Sequence, residues 1–231
     1  MTEYKHLGRF DSVSIAGVAI FGALSVVLTT LSVGLGMNFP LLPYLQFDLG
    51  EIAIFLAFFI FGPVPAIVSA FVEFGTLLAI GENTPIGPVL KLVSILSSLL
   101  GVWAGTALVS RMRTPGLNKA ATFGTAFGLV GRVIGTTIAN YYLIVFISKY
   151  FSGYTLSAIL AYVTGFFKTA GITITPTNGL ALILGFTAVF NILQLIFVLV
   201  VSYLIIRLPQ IQSAKMAGRR LWIVSYVQHK E

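Results

Sequence analysis

The residues of this chain able to do chemistry are few: Asp48, Glu51, Glu73, Lys91, Arg132, Asn140, Asn191 and Gln194. Each lies in or at the edge of a long apolar run. An ionised side chain in mid-bilayer costs about 2.5–3.5 kcal/mol on insertion scales, so such residues need partners or a wet cavity. Asn and Gln amides both donate and accept hydrogen bonds, which suits the edge of a small polar ligand. Asn191 and Gln194 are three residues apart and share one helix face. Tyr44, Phe47, Tyr141, Tyr142 and Phe190 add flat faces nearby, although with 19 Phe in the chain most aromatics must face lipid. Asp48 and Glu51 stand at N-cap and N3 spacing and read as a capping box at a helix start.

Other chemistries are excluded by type. The chain has no Cys, and its two His, His6 and His229, sit in the terminal segments. Thiolate and histidine metal sites, disulfides and Cys nucleophiles are therefore out, and no metal or resident cofactor is expected. The phosphate-cradling Gly-x-x-x-x-Gly-Lys-[Ser/Thr] loop is absent, so ATP is not hydrolysed by that route. Glu73 with scattered Ser and Thr is the only enzyme-like candidate.

The elements that position these residues are membrane spans. The chain has 231 residues, 57% hydrophobic and 9% charged, whereas soluble domains carry about 25% charge. Six apolar spans are read. They run roughly Ser12 to Val33, Asp48 to Gly62, Val64 to Ile80, Pro88 to Ser110, Lys119 to Ser148 and Leu180 to Ile206. The first is too long for a signal-peptide core and is read as a retained helix. Gly62-Pro63-Val-Pro65 forces a tight turn because proline fixes φ and lacks a donor. Gly34 to Tyr44 and Gly81 to Pro85 read as loops rich in breakers. The apolar stretch Tyr154 to Ala170, broken by Gly165, is too short to cross and reads as re-entrant or interfacial. The expectation is an all-α membrane protein of six transmembrane helices, one compact bundle over 1–231 with short basic tails at about 1–11 and 208–231.

Charge sets the orientation. Lys5, Arg9, Arg111, Arg113, Lys119, Arg207, Lys215, Arg219, Arg220 and Lys230 fall on one side, and only Lys149 and Lys168 on the other. Lys and Arg are retained on the cytoplasmic side, so both termini are expected there, in the plasma membrane. The formal charge of +7 then answers to lipid headgroups rather than nucleic acid. In this frame Lys91 and Asn140 lie toward the outer surface, Arg132 near mid-depth, and Asn191 and Gln194 near the middle of the last span. Each alone fits an interhelical hydrogen bond, or snorkelling for Lys91; together they point to a cavity open to the outside. Glu73 lies farther inward, with Arg132 as a candidate partner.

In the first span Ala16, Ala19 and Ala23, with Gly22, recur at helical spacing. Such a stripe serves close internal packing or docks another membrane protein.

Several stretches resemble the substrate-binding S components of energy-coupling factor (ECF) vitamin transporters, especially the riboflavin-specific ones. Phe39-Pro-Leu-Leu-Pro-Tyr-Leu-Gln-Phe-Asp48-Leu-Gly-Glu51 resembles that family's aromatic loop and acidic second-helix start. Phe61-Gly62-Pro63 resembles its turn between helices two and three. Arg132 followed by Asn140-Tyr141 resembles its fifth helix, Phe190-Asn191-Ile192-Leu193-Gln194 its sixth, and Ala19-x-x-x-Ala23 the face that meets the coupling subunit. Gln194 departs from the pattern, standing where the riboflavin group has Lys. The resemblance implies a non-enzymatic subunit that captures riboflavin as transported substrate. It implies contacts from Asn140, Asn191 and Gln194. Lys91, Tyr44, Phe47 and Tyr141 join them from depth and aromatic character. It also implies partners: a transmembrane coupling subunit and two cytoplasmic ATPases. The alternatives are another cargo (pantothenate, thiamin or a nucleobase-like compound), a small intramembrane lipid-acting enzyme, or a stand-alone secondary carrier. No internal repeat supports the last of these.

Overall fold

A computed structural model describes residues 11–81, 85–150, 155–208 and 221–228, without the side chain of Lys149. Among the described residues, five helices are long and apolar enough to cross a membrane. They are α1 (Ser12–Gly34), α3 (Pro63–Ile80), α4 (Ile86–Ser110), α5 (Leu117–Tyr142, extended by a π-helical turn, Leu143–Ile147) and α7 (Gly179–Arg207). The chain is a multi-pass helical membrane protein.

The surface is inverted relative to a water-soluble bundle. On α1 the buried residues are Ser14, Gly17, Val18, Gly22, Ser25, Thr29 and Ser32. Ile20 and Val27 face outward, each 63% exposed. Lipid tails accept apolar exteriors, while buried hydroxyls find partners inside.

The expected second span is corrected. It is α2 (Gly50–Phe61), only 12 residues, or roughly 18 Å at 1.5 Å per residue. Ten of its residues are buried, so helices rather than lipid surround it. The loop ahead of it is a hairpin: β1 (Asn38–Phe39) pairs antiparallel with β2 (Leu42–Gln46). Gly62, at φ 106°, makes the reversal into α3, where Pro63 opens the helix.

The capping-box reading of Asp48 and Glu51 is also corrected. The N-cap is Leu49. Asp48 Oδ1 accepts from Gly50 N at 2.7 Å, Ser32 Oγ from Leu49 N at 2.9 Å, and Gln194 Oε1 from Asp48 N at 3.2 Å. Side chains from α1 and α7 thus satisfy donors that Glu51 was expected to serve, and Glu51 is free for another role. Ser25 of α1 donates to Gly50 O at 2.9 Å. A Cβ at Gly50 would sit 2.5 Å from Ser25 O, so this approach requires glycine.

The segment Leu156–Thr169 is a helix, α6, with Val163 and Phe167 buried. At 14 residues it falls short of the ~20 a crossing needs. The C-terminal tail is not wholly a tail. Trp222–Gln228 forms α8, whose Trp222 ring meets Phe58 of α2 edge-on at 5.2 Å. Buried Leu221, Trp222, Ile223 and Val227 explain why it folds back. Lys5, Arg9, Lys215, Arg219, Arg220, Lys230, both histidines and the Glu82–Thr84 turn lie outside the described residues.

Candidate functional site

The buried face of α5 reads Ala120, Gly124, Gly128, Arg132, Thr136 and Asn140. This strict four-residue step keeps one stripe inward, small at one end and polar at the other. The small end lets α4 approach: Gly131 of α5 has no room for a Cβ, which would lie 2.6 Å from Ser97 O. The polar end opens on a cavity of about 730 Å³ among α1, the hairpin, α4, α5, α6 and α7. That size suits a small organic ligand, whose sites run about 300–1,000 Å³.

Arg132, 2% exposed, forms a two-pronged pair with Glu51. Nη1 meets Glu51 Oε2 at 2.6 Å and Nη2 meets Oε1 at 2.8 Å. Nε donates to Asn191 Oδ1 at 2.9 Å, and Nη1 also reaches Ser98 Oγ at 3.4 Å. A forked guanidinium on a carboxylate holds fixed geometry. Asn191 Nδ2 donates in turn to Thr187 O at 2.8 Å.

A second cluster joins three helices and the loop ahead of α2. Lys91 Nζ of α4 is paired with Asp48 Oδ2, with Glu73 Oε1 of α3 at 2.6 Å and with Thr29 Oγ1 of α1 at 2.6 Å. Thr29 Oγ1 lies 2.9 Å from both Asp48 Oδ1 and Glu73 Oε1. Glu73 therefore pairs with Lys91, not with Arg132, which is committed to Glu51. Lys91 does not snorkel; its side chain is 16% exposed.

The expected site residues divide. Asn140, Asn191, Lys91, Tyr44 and Phe47 line the cavity, as do Asp48, Glu51, Arg132, Ser94 and Thr136. Asn140 Nδ2 donates to Thr136 O at 2.8 Å. Phe47 packs with Phe39 and Phe190, at centroid distances of 6.4 and 5.2 Å, and ties the hairpin to α7. Tyr44 is 43% exposed, and its phenol can donate as well as accept.

Two expectations are displaced. Gln194 is fully buried and away from the cavity lining: its Nε2 donates to Asp48 O at 2.8 Å and its Oε1 accepts from Asp48 N at 3.2 Å. Both ends of the amide are spent holding the entry to α2. Tyr141 turns outward, 41% exposed, and packs on Tyr142 and Phe146. One helical step past an inward Asn140 must point away. Ala16, Ala19 and Ala23 are all exposed, whereas Gly22 turns inward, where a Cβ would crowd Val72. The roles of Arg132, Glu51, Asp48, Ser94 and Thr136 were not read from the sequence. The step Arg132–Thr136–Asn140 was a usable signal for Thr136.

The fold and the site define a class: a helical membrane protein enclosing a polar chamber, with most of its charges neutralised in place. No family model matches the chain, and no curated relative matches it. Among solved structures, the S component of a bacterial ECF transporter superposes with a TM-score of 0.60. It covers 89% of this chain and 98% of that chain at 22% identity. The chain has the fold of an ECF transporter S component.

Proposed function

We propose that this protein is the substrate-capture subunit of an ECF-type vitamin importer, with riboflavin as cargo. It takes the ligand from outside, and it binds rather than transforms it. The observation that carries this reading is the roughly 730 Å³ chamber with amides, charges and aromatic faces converging on it, in a fold shared with an S component. A flavin offers broad faces for Phe47 and Tyr44 and an edge of donors and acceptors for Asn140 and Asn191. The residues 1–231 act as one six-helix bundle in the plasma membrane with both termini cytoplasmic. Energy comes from a transmembrane coupling subunit, docked on Ala16, Ala19 and Ala23, and two cytoplasmic ATPases.

Identification of the small molecule retained after gentle detergent extraction tests this. Copurifying flavin absorbance and fluorescence are expected; a colourless protein that ignores riboflavin in titration defeats the cargo assignment. The second reading is the same class with another cargo, such as thiamin, pantothenate or a nucleobase-like compound. It draws on Gln194, which holds Asp48 instead of offering the cationic contact of the riboflavin group. Against the enzyme alternative stands the placement of Glu73, 1% exposed and held by Lys91; uptake that survives removal of the ATPase partners would favour the secondary carrier.

A further inference from the structure

The two cations of the chamber are already occupied. The Lys91 ammonium has three protons, and it has three partners: Asp48, Glu73 and Thr29. Arg132 gives its forked face to Glu51 and its Nε to Asn191. Against these two cations stand three carboxylates: Asp48 and Glu51 in the cavity wall and Glu73 directly behind Lys91. No positive charge remains unmatched among the described residues that line the cavity.

The open groups are of another kind. Ser94 lines the cavity, is 6% exposed, and its Oγ has no hydrogen-bond partner among the described residues. A buried hydroxyl left unpaired is costly, so a partner arriving with the ligand removes a penalty. Asn140, whose amide nitrogen is engaged by Thr136 O, lines the same space. Ser94 belongs to α4 and Asn140 to α5.

We propose that this chamber selects ligands without negative charge, and that the Ser94 hydroxyl is a specificity-determining contact that meets the ligand's polar edge. The inference rests on the capture reading and narrows its cargo to neutral or cationic compounds. An anion would enter beside carboxylates that already hold both cations, with no free cation to receive it.

The test uses the full chain in lipid nanodiscs, titrated with riboflavin and with its 5′-phosphate, which share one ring system. The phosphate is expected to bind at least about tenfold more weakly; equal or tighter binding overturns the charge rule. The variant Glu73→Gln takes from Lys91 one of its two carboxylate partners without emptying the cavity wall, so the gap between the two flavins should narrow. An unchanged gap overturns the electrostatic cause, because added bulk alone would not respond to this variant. Ser94→Ala is expected to weaken the favoured ligand by about fivefold, and unaltered affinity removes Ser94 from the site.

A parallel panel of thiamin (cation), adenine (neutral) and pantothenate (anion) separates this inference from the flavin assignment. Retention of thiamin or adenine in place of riboflavin sinks the flavin cargo and supports the charge rule. Retention of pantothenate overturns the charge rule and leaves the capture role standing.

Discussion

Two small-residue faces behave in opposite ways. The seam between α4 and α5 is sealed: a Cβ at Gly101 would lie 2.8 Å from Gly128 Cα, and one at Gly105 2.8 Å from Gly124 Cα. The two backbones touch where side chains would normally stand. On α1 the stripe is split. Gly17 and Gly22 turn inward against Phe61 and Val72, while Ala16, Ala19 and Ala23 remain on the surface. Small residues at helical spacing thus mark a place where backbones can meet; they do not say whether the partner belongs to the same chain. The seam has its partner, and it carries Arg132 and Asn140 into the chamber. The alanine face has none among the described residues, as a face left for docking would.

Substitutions can break or sharpen this contrast. The largest effect is expected at the polar end of the seam helix. Arg132→Met strands Glu51 in a buried site and should cost about 3–5 kcal/mol, read as loss of monodisperse protein in size-exclusion chromatography or a large drop in melting temperature. Gly105→Leu comes next, at about 3 kcal/mol, because overpacking here meets backbone that cannot move aside. If Gly105→Leu melts like the parent, the close seam is wrong. Asn191→Ala should weaken ligand binding by about tenfold, as loss of a buried polar partner implies, while the protein still inserts; a titration with unchanged affinity removes Asn191 from the site. Ala19→Leu and Ala23→Leu are expected to shift stability by no more than about 0.5 kcal/mol and to leave binding intact. They should nonetheless block uptake in cells supplied with the ATPase and coupling partners. Normal uptake by both variants would make the alanine face simply lipid-facing and erase the distinction.

Much of the site was legible one residue at a time. Asn140 and Asn191 stand out because hydrocarbon penalises an unpaired amide, and both line the chamber. Lys91 was legible as a polar group that needs company, but its depth was not. Snorkelling and burial give the same sequence, and only two carboxylates brought from positions 48 and 73 decide for burial. Gln194 misled because the same rule that flags a polar residue in a span cannot say whether its partner is a ligand or, as here, the Asp48 backbone 146 positions away. Asp48 and Glu51 misled in a related way. Their spacing fits a capping box, yet α1 and α7 already satisfied the donors, and Arg132, 81 residues away in the chain, claimed Glu51. Tyr141 was readable and missed, since an inward Asn140 turns its neighbour outward.

By itself the sequence determined that this chain crosses membranes, where its long helices run, and which side chains oil would not leave alone. Those are local quantities, set by run length, breaker residues and the transfer cost of single groups. Only the tertiary structure decided that α2 is a short helix wrapped by others, that Lys91 and Arg132 are paired inside the fold, and that the buried Ser94 hydroxyl beside the chamber has no partner among the described residues. Pairing between distant positions depends on how helices are placed around one another, and an apolar run reads the same whether lipid or protein surrounds it.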